Sequence, residues 1–325
     1  MSNYNCIFGP VASRRLGTSL GVDVIPYKTC TYDCIYCQLG RTTRKTVTRR
    51  EYVPWKIVLN QLESFLSEGN HDIDYITFSG CGEPTLNSEI GRLTKEVKKL
   101  TTIPIAVLTN GSLLYQSRVQ QDLIEADLVL PSLDAVTPSV FRVINRPHHS
   151  LDIKKIIEGM ITFRRAYKGR MWLEILFSRG VNDDQDEVER MKEAIKDIKP
   201  DKVQLNTVIR PPSEDVAHAL SVDQLKAIKS IIGSKAEIIP NFKEISHGIH
   251  QRSLEERILS LLRRRPCTIE DISTGLNIHP TIALKYLNAL ADLGKVDYVV
   301  HGKQVYYKSR SSIQWKGNVK EDLEG

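Results

Sequence analysis

The sequence predicts an α/β fold of parallel strands, followed by a small helical module that ends in a hairpin. Two observations carry this. Apolar, β-rich runs alternate with helix-periodic stretches about six times over the first 240 residues. Strict alternation of strand and helix calls for parallel strands joined by right-handed crossovers. Near residues 242–253 the alternation stops, and three helical stretches and two short β runs follow. Six βα units fall short of a full eight-stranded barrel, so an incomplete α/β barrel and an open doubly wound sheet both satisfy the pattern.

The predicted strands lie at 20–25, 73–79, 105–109, 128–133, 172–177 and 203–209, where β-branched and aliphatic residues cluster between turn signals. Helical periodicity appears at 54–67, 88–100, 117–125, 152–167, 184–196 and 222–232. Beyond the expected linker, 254–263 and 268–274 read as helices. A third, at 280–293, carries Ile282, Leu284, Leu287, Leu290 and Leu293 and is stopped by Gly294. Strands at 296–300 and 305–308 flank a His-Gly-Lys turn at 301–303, which is the element order of a winged helix. The expected domains are therefore 1–245 and 251–325.

A chain of 325 residues accommodates one large and one small domain. Its 41% hydrophobic and 26% charged residues exclude a disordered, collagen-like or disulfide-scaffold protein. No apolar run approaches the roughly 20 residues of a membrane span, and the start lacks the apolar core of a secretory signal. The expectation is a cytoplasmic protein without a membrane partner. A net charge of +6 permits an anionic partner without demanding one.

Cysteine placement is more informative. The six cysteines fall at 6, 30, 34, 37, 81 and 267, and in a reducing cytosol three within eight residues read as metal ligands. The C-x3-C-x2-C array of Cys30, Cys34 and Cys37 follows the first predicted strand in KTCTYDCIYC. Three thiolates in one tight loop fill three corners of a four-iron cluster and leave the fourth iron open. Structural zinc is the alternative, but it wants a paired fourth ligand, and no histidine lies within thirty residues of the triad.

That spacing, with Tyr36 before the last cysteine, resembles the radical S-adenosylmethionine superfamily. The next strand ends in GCGEPTL at 80–86, similar to the superfamily's glycine-glycine-glutamate-proline motif. The resemblance implies a partial (βα)6 barrel of radical S-adenosylmethionine type with a C-terminal winged-helix domain. It implies a 4Fe-4S cluster on the three cysteines, whose open iron binds S-adenosylmethionine and whose electron cleaves it to a 5′-deoxyadenosyl radical. A reductant such as flavodoxin or ferredoxin is expected with it. Cofactor contacts are expected from Tyr36, Gly82, Glu83, Pro84, Thr109, Asn110, Ser132 and Asn206. Chemically, Glu83 offers a carboxylate to the cofactor's ammonium, and Gly82 permits close backbone approach. The N-terminal signature through 43 looks closest to a branch grouped with the tRNA wyosine synthases, although the clustered cysteines for their second cluster are missing.

Polar residues recur at the other strand ends: Ser132 and Asp134, Glu174 and Ser178, Asn206 and Arg210. Active sites of α/β barrels are built at that end. Arg41, Arg44, Lys45, Arg49 and Arg50, with Arg14 and Arg15, read either as a solvated basic loop or as a seat for a phosphate or carboxylate. Asn145, Arg146 and His148 read as loop surface or as substrate-facing. Cys6, Cys81 and Cys267 stand apart, with Cys81 read as a small buried residue or a reactive thiol.

From Gln251 onward there are 12 Lys and Arg against 9 Asp and Glu. Thr281, Lys285 and Asn288 on the third helix, and His301, Lys303 and Gln304 on the wing, are expected to be exposed before Tyr306 and Tyr307. Three functions remain open: radical modification of RNA such as tRNA, radical activation or maturation of a protein or peptide, and an iron–sulfur redox-sensing regulator that binds DNA.

Overall fold

The computed structural model describes residues 6–13, 15–69, 72–209, 211–239, 249–276, 278–301 and 304–310. Arg14, Arg210, Lys303 and the His301 side chain lie outside the described residues, as does most of the expected linker. Two compact units divide the described chain, one within 6–239 and the other within 249–310.

The first unit opens with a hairpin, β1 (Ile7–Ser13) and β2 (Gly17–Val22), followed by two-residue strands β3 (Thr29–Cys30) and β4 (Arg44–Lys45). Then come α1 (Trp55–Ser67), β5 (Tyr75–Phe78), α2 (Ile90–Leu100), β6 (Ile105–Thr109), α3 (Ser117–Leu123) and β7 (Leu128–Pro131). The chain continues through α4 (Pro138–Ile144), α5 (Ile153–Ala166), β8 (Arg170–Phe177), α6 (Gln185–Ile198), β9 (Lys202–Thr207), α7 (Val222–Ile232) and β10 (Ala236–Ile238). All six predicted strands are present, and β1 and β10 extend the sheet to eight in the order β1-β2-β5-β6-β7-β8-β9-β10. Every pairing is parallel except β1 with β2. Among the described residues the two ends of the sheet, β1 and β10, do not pair, so the barrel is partial.

The missed elements have local causes. Gly9 and Pro10 interrupt β1 where its register shifts between Phe8 and Val11, which hides the alternation. Strand β10 has three residues and α4 seven, both too short for a period to show.

The sheet's two faces differ. One face, with Ile76, Phe78, Val107, Leu173, Ile175 and Phe177, packs on the apolar stripes of the helices, including Leu62, Leu93 and Phe163. The other carries a small apolar floor of Leu16, Ala106, Leu128 and Leu130 with Trp172 against it. Helix starts are fixed by side chains: Asp152 accepts from Lys154 N at 2.8 Å, Asp184 from Glu187 N at 3.0 Å, and Ser221 forms a capping box with Gln224.

The second unit contains α8 (Ile249–Arg264), α9 (Ile269–Leu276), α10 (Pro280–Asp292) and a hairpin of β11 (Val296–His301) and β12 (Gln304–Ser309). Its core gathers Ile258, Leu262, Ile272, Leu287, Leu290 and Tyr307, all fully or nearly fully buried. One expectation fails here: Asn288 is buried, and Thr281 and Lys285 are only half-exposed. Asn288 sits one position after Leu287, on the buried side of the helix rather than its outer face.

Candidate active site at the carboxyl ends of the strands

The cysteine loop is held from three directions. Lys28 N donates to Cys81 O at 2.8 Å and Glu83 N to Thr29 O at 3.1 Å, which laces the loop to the turn after β5. Asp33 N and Ile35 N donate to Asn145 O and Ile144 O, both at 3.0 Å, at the end of α4. Ser213 Oγ, from the segment after β9, donates to Cys34 O and Ile35 O at 2.9 Å.

Held this way, the three thiols lie close enough to feel one another, and each has its own N–H donor. Asn110 Nδ2 stands 3.5 Å from Cys30 Sγ, Asn145 Nδ2 3.4 Å from Cys34 Sγ, and Lys28 Nζ 3.1 Å from Cys37 Sγ. Burial, then the Glu83 charge, pushes the Cys30 thiol up to about 12. Burial and Asp134 push Cys34 well above the usual thiol range. Such thiols are neutral until a cation replaces their protons. Desolvation works against the Lys28 charge, but Cys37, then Cys30 and Cys34, outweigh it when they are thiolates and raise its pKa.

The GCGEP turn has a structural role as well. A Cβ at Gly82 would stand 2.0 Å from Thr29 O, so the close approach the glycine permits is that of the cysteine loop itself. The Glu83 carboxylate, buried and raised by desolvation, is already engaged. Its Oε1 accepts from Thr85 N at 3.0 Å, Thr85 Oγ1 at 2.5 Å and Thr109 Oγ1 at 2.6 Å, and its Oε2 from Asn110 N at 2.7 Å. Glu83 is thus a bracket between the ends of β5 and β6. Buried Pro84 follows as the first residue of a single 3-10 turn, Pro84–Leu86. Asn110 reaches on to Thr31 Oγ1 at 2.7 Å.

Across the sheet, Ser132 bridges to Glu174, whose Oε1 accepts from Asn206 Nδ2 at 3.2 Å and whose Oε2 pairs with Arg15. These four gather on the face opposite the helices. Tyr36 donates its hydroxyl to Asp134, which also accepts from Asn145 Nδ2 at 2.7 Å and Leu176 N at 3.0 Å. Desolvation pushes Asp134 up to about 6, against the pull of those donors.

Much of the basic loop is structural. Arg41 pairs with Asp33 and Glu214, and Arg146 pairs with Glu214 at 2.8 Å. Arg49 donates to Thr85 O at 2.8 Å and Asn87 O at 3.3 Å and pairs with Asp122 at 2.6 Å. Arg44, Lys45 and Arg50 remain exposed, with both arginines over the Tyr52 ring. Asn145 is buried against Cys34 rather than turned outward, and Cys81 is a buried thiol. Sequence reasoning missed Lys28, Asn145 as a sulfur donor, and the Arg15–Glu174 pair. The signal for Lys28 was its place two residues before the first cysteine.

A family model for the Radical SAM superfamily matches residues 24–195, just over half of the chain. The chain belongs to the radical SAM superfamily. As a radical SAM enzyme it uses a 4Fe-4S cluster and S-adenosylmethionine, and the donor set fits both: three converging thiols, an N–H donor to each, and polar strand ends beside them. A UPF0026 protein from Methanocaldococcus jannaschii is 38% identical over 308 residues, 92% of this chain and 94% of the relative. A Brachyspira hyodysenteriae protein named GTPase Obg is 40% identical over 92% of this chain, which spans 45% of that relative. A probable dual-specificity RNA methyltransferase from a Thermotoga species is 26% identical over 64% of this chain and 61% of its own length. Among solved structures, a radical SAM methyltransferase from Sphaerobacter thermophilus superposes with a TM-score of 0.53 over 68% of this chain and 65% of that chain, at 17% identity, which is a likeness of fold. No described helix is long and apolar enough to cross a membrane.

Proposed function

We propose that this radical SAM enzyme modifies RNA. The convergence of the Cys30, Cys34 and Cys37 thiols beside the bracketed turn carries the chemistry. Bound there, the cluster and S-adenosylmethionine supply a 5′-deoxyadenosyl radical at the cost of one electron from a reductant such as flavodoxin or ferredoxin. The Glu83 carboxylate braces the turn and, with one chain donor on its Oε2, keeps acceptor capacity for the cofactor's ammonium, beside the Gly82–Pro84 backbone. Thr109 and Asn110 extend that wall, and Tyr36, Ser132 and Asn206 complete the cofactor pocket from the neighbouring strand ends.

Two features support RNA as substrate. Arg44, Lys45 and Arg50 are exposed on the segment that follows the cysteines, where they meet phosphates without unmaking an ion pair. The second unit has the element order of a winged helix, a common nucleic-acid module. The likeness to an RNA methyltransferase agrees with this reading. Ultraviolet crosslinking of the full chain in cells, with sequencing of bound RNA and mapping of crosslinked peptides, tests it. Discrete RNAs crosslinked at 44–50 or in the second unit are expected, and recovery of no RNA above background contradicts it. A protein or peptide substrate is the second reading. It is favoured by apolar exposure on the hairpin side of the second unit, where Leu293 is 53% and Tyr298 and Val299 are each 45% exposed.

A further inference from the structure

Of the three N–H donors aimed at the cysteine sulfurs, two are neutral amides and one is a cation. Lys28 is 3% exposed, a burial that lysine rarely accepts without a partner, and its ammonium stands 3.1 Å from Cys37 Sγ. The backbone goes to some length to put it there. Lys28 has φ +56°, in the left-handed region that favours glycine, and is one of three described non-glycine residues with positive φ. Its N–H is held by Cys81 O, and its carbonyl accepts from Thr43 N at 3.2 Å and Arg44 N at 3.1 Å. Both flanks of the residue are therefore pinned, one to the GCGEP turn and one to the strand that closes the cysteine loop.

A charge fixed at hydrogen-bond distance from one ligand sulfur, and removed from water, acts on the metal centre through its field. Cluster potentials respond to net charge, hydrogen bonds to sulfur and solvent exposure. Taking up one electron adds a negative charge to the cluster, and a nearby buried cation stabilises the reduced form more than the oxidised one because little solvent screens it. Asn110 and Asn145 donate to Cys30 and Cys34 without that charge.

We propose that Lys28 is a positioning residue that sets the cluster's reduction potential, its ammonium making the one-electron reduction more favourable and so bringing the centre within reach of a physiological donor. This rests on the assignment of the cluster to Cys30, Cys34 and Cys37. The electron comes from the external reductant, and no proton need leave Lys28.

The test is a potentiometric titration of the anaerobically reconstituted full chain, followed by electron paramagnetic resonance of the reduced cluster, for wild type, K28M, K28Q and K28R. For K28M, the equilibrium constant for one-electron reduction is expected to fall about tenfold, a shift of ~59 mV to more negative potential. K28Q, which keeps a donor without the charge, is expected to shift in the same direction, and K28R to restore most of the difference. Equal midpoints in wild type, K28M and K28Q overturn the proposal. So does loss of the cluster from both K28M and K28Q, which makes Lys28 a requirement for assembly rather than a regulator of potential. A wild-type chain that holds no cluster contradicts the site assignment instead, and the two failures are thereby distinct.

Discussion

Gly82 lies under the Thr29 carbonyl so closely that a Cβ would stand 2.0 Å from the oxygen and 2.7 Å from Ile25 Cγ2. The contact joins the two signature segments of the chain, since the same strip carries the hydrogen bonds from Lys28 N to Cys81 O and from Glu83 N to Thr29 O. G82A must push the cysteine loop away from the turn. Its expected cost is about 1–3 kcal/mol of stability, with iron content well below wild type after anaerobic reconstitution. Urea unfolding and an iron assay check this, and full iron with unchanged stability would contradict it.

Asp134 ties Tyr36, Asn145 and the β8 backbone together from a buried position, where desolvation pushes its carboxyl up to about 6. The folded state therefore holds this proton more tightly than the unfolded chain does. The stabilising contribution is complete below the ordinary carboxylate range and is lost as pH rises through about 6. In anaerobic urea unfolding, the stability of wild type relative to D134N should fall by up to about 3 kcal/mol between about pH 4 and about pH 7. A difference that does not change with pH would show that Asp134 carries no raised pKa.

The six cysteines divide by role. C34A should hold iron only at background, because it removes one of three converging thiols. C6S and C267S should retain the wild-type iron content and visible absorbance, since both residues are buried within other parts of the fold. Iron and sulfide assays on the three variants separate these outcomes.

Arg49 reads in the sequence as part of a basic loop, yet it is 11% exposed at its side chain and clamps Thr85 O, Asn87 O and Asp122. R49M leaves Asp122 without its partner and should lower stability by about 1–3 kcal/mol, while RNA crosslinking through Arg44, Lys45 and Arg50 persists. Loss of crosslinking with unchanged stability would reverse that assignment.

The sequence made the six central strands legible because apolar residues recur along each of them on the helix-facing side, as Leu20 and Val22, Leu173 and Ile175, and Val203 and Leu205 do. The cysteine triad was legible because its ligands are adjacent in sequence. What escaped depends on distant contacts. The Arg15–Glu174 pair joins residues 159 positions apart, and Asn145 meets Cys34 across 111. Glu83 is singled out by its motif, but the motif does not reveal that Thr85, Thr109 and Asn110 also donate to its oxygens and make it a brace between two strand ends. Arg41 and Arg49 were indistinguishable from Arg44 and Arg50 by composition, since only the fold brings Asp33, Glu214 and Asp122 to them. Asn288 was placed on an outer helix face by spacing from the leucines and proved to be buried among them.

The most direct measurement is 5′-deoxyadenosine formation by the anaerobically reconstituted chain, reduced with dithionite in the presence of S-adenosylmethionine. Wild type is predicted to produce 5′-deoxyadenosine and methionine, and C34A none above the protein-free control. No product from a wild-type chain carrying its full iron, or equal product from C34A, would contradict the account.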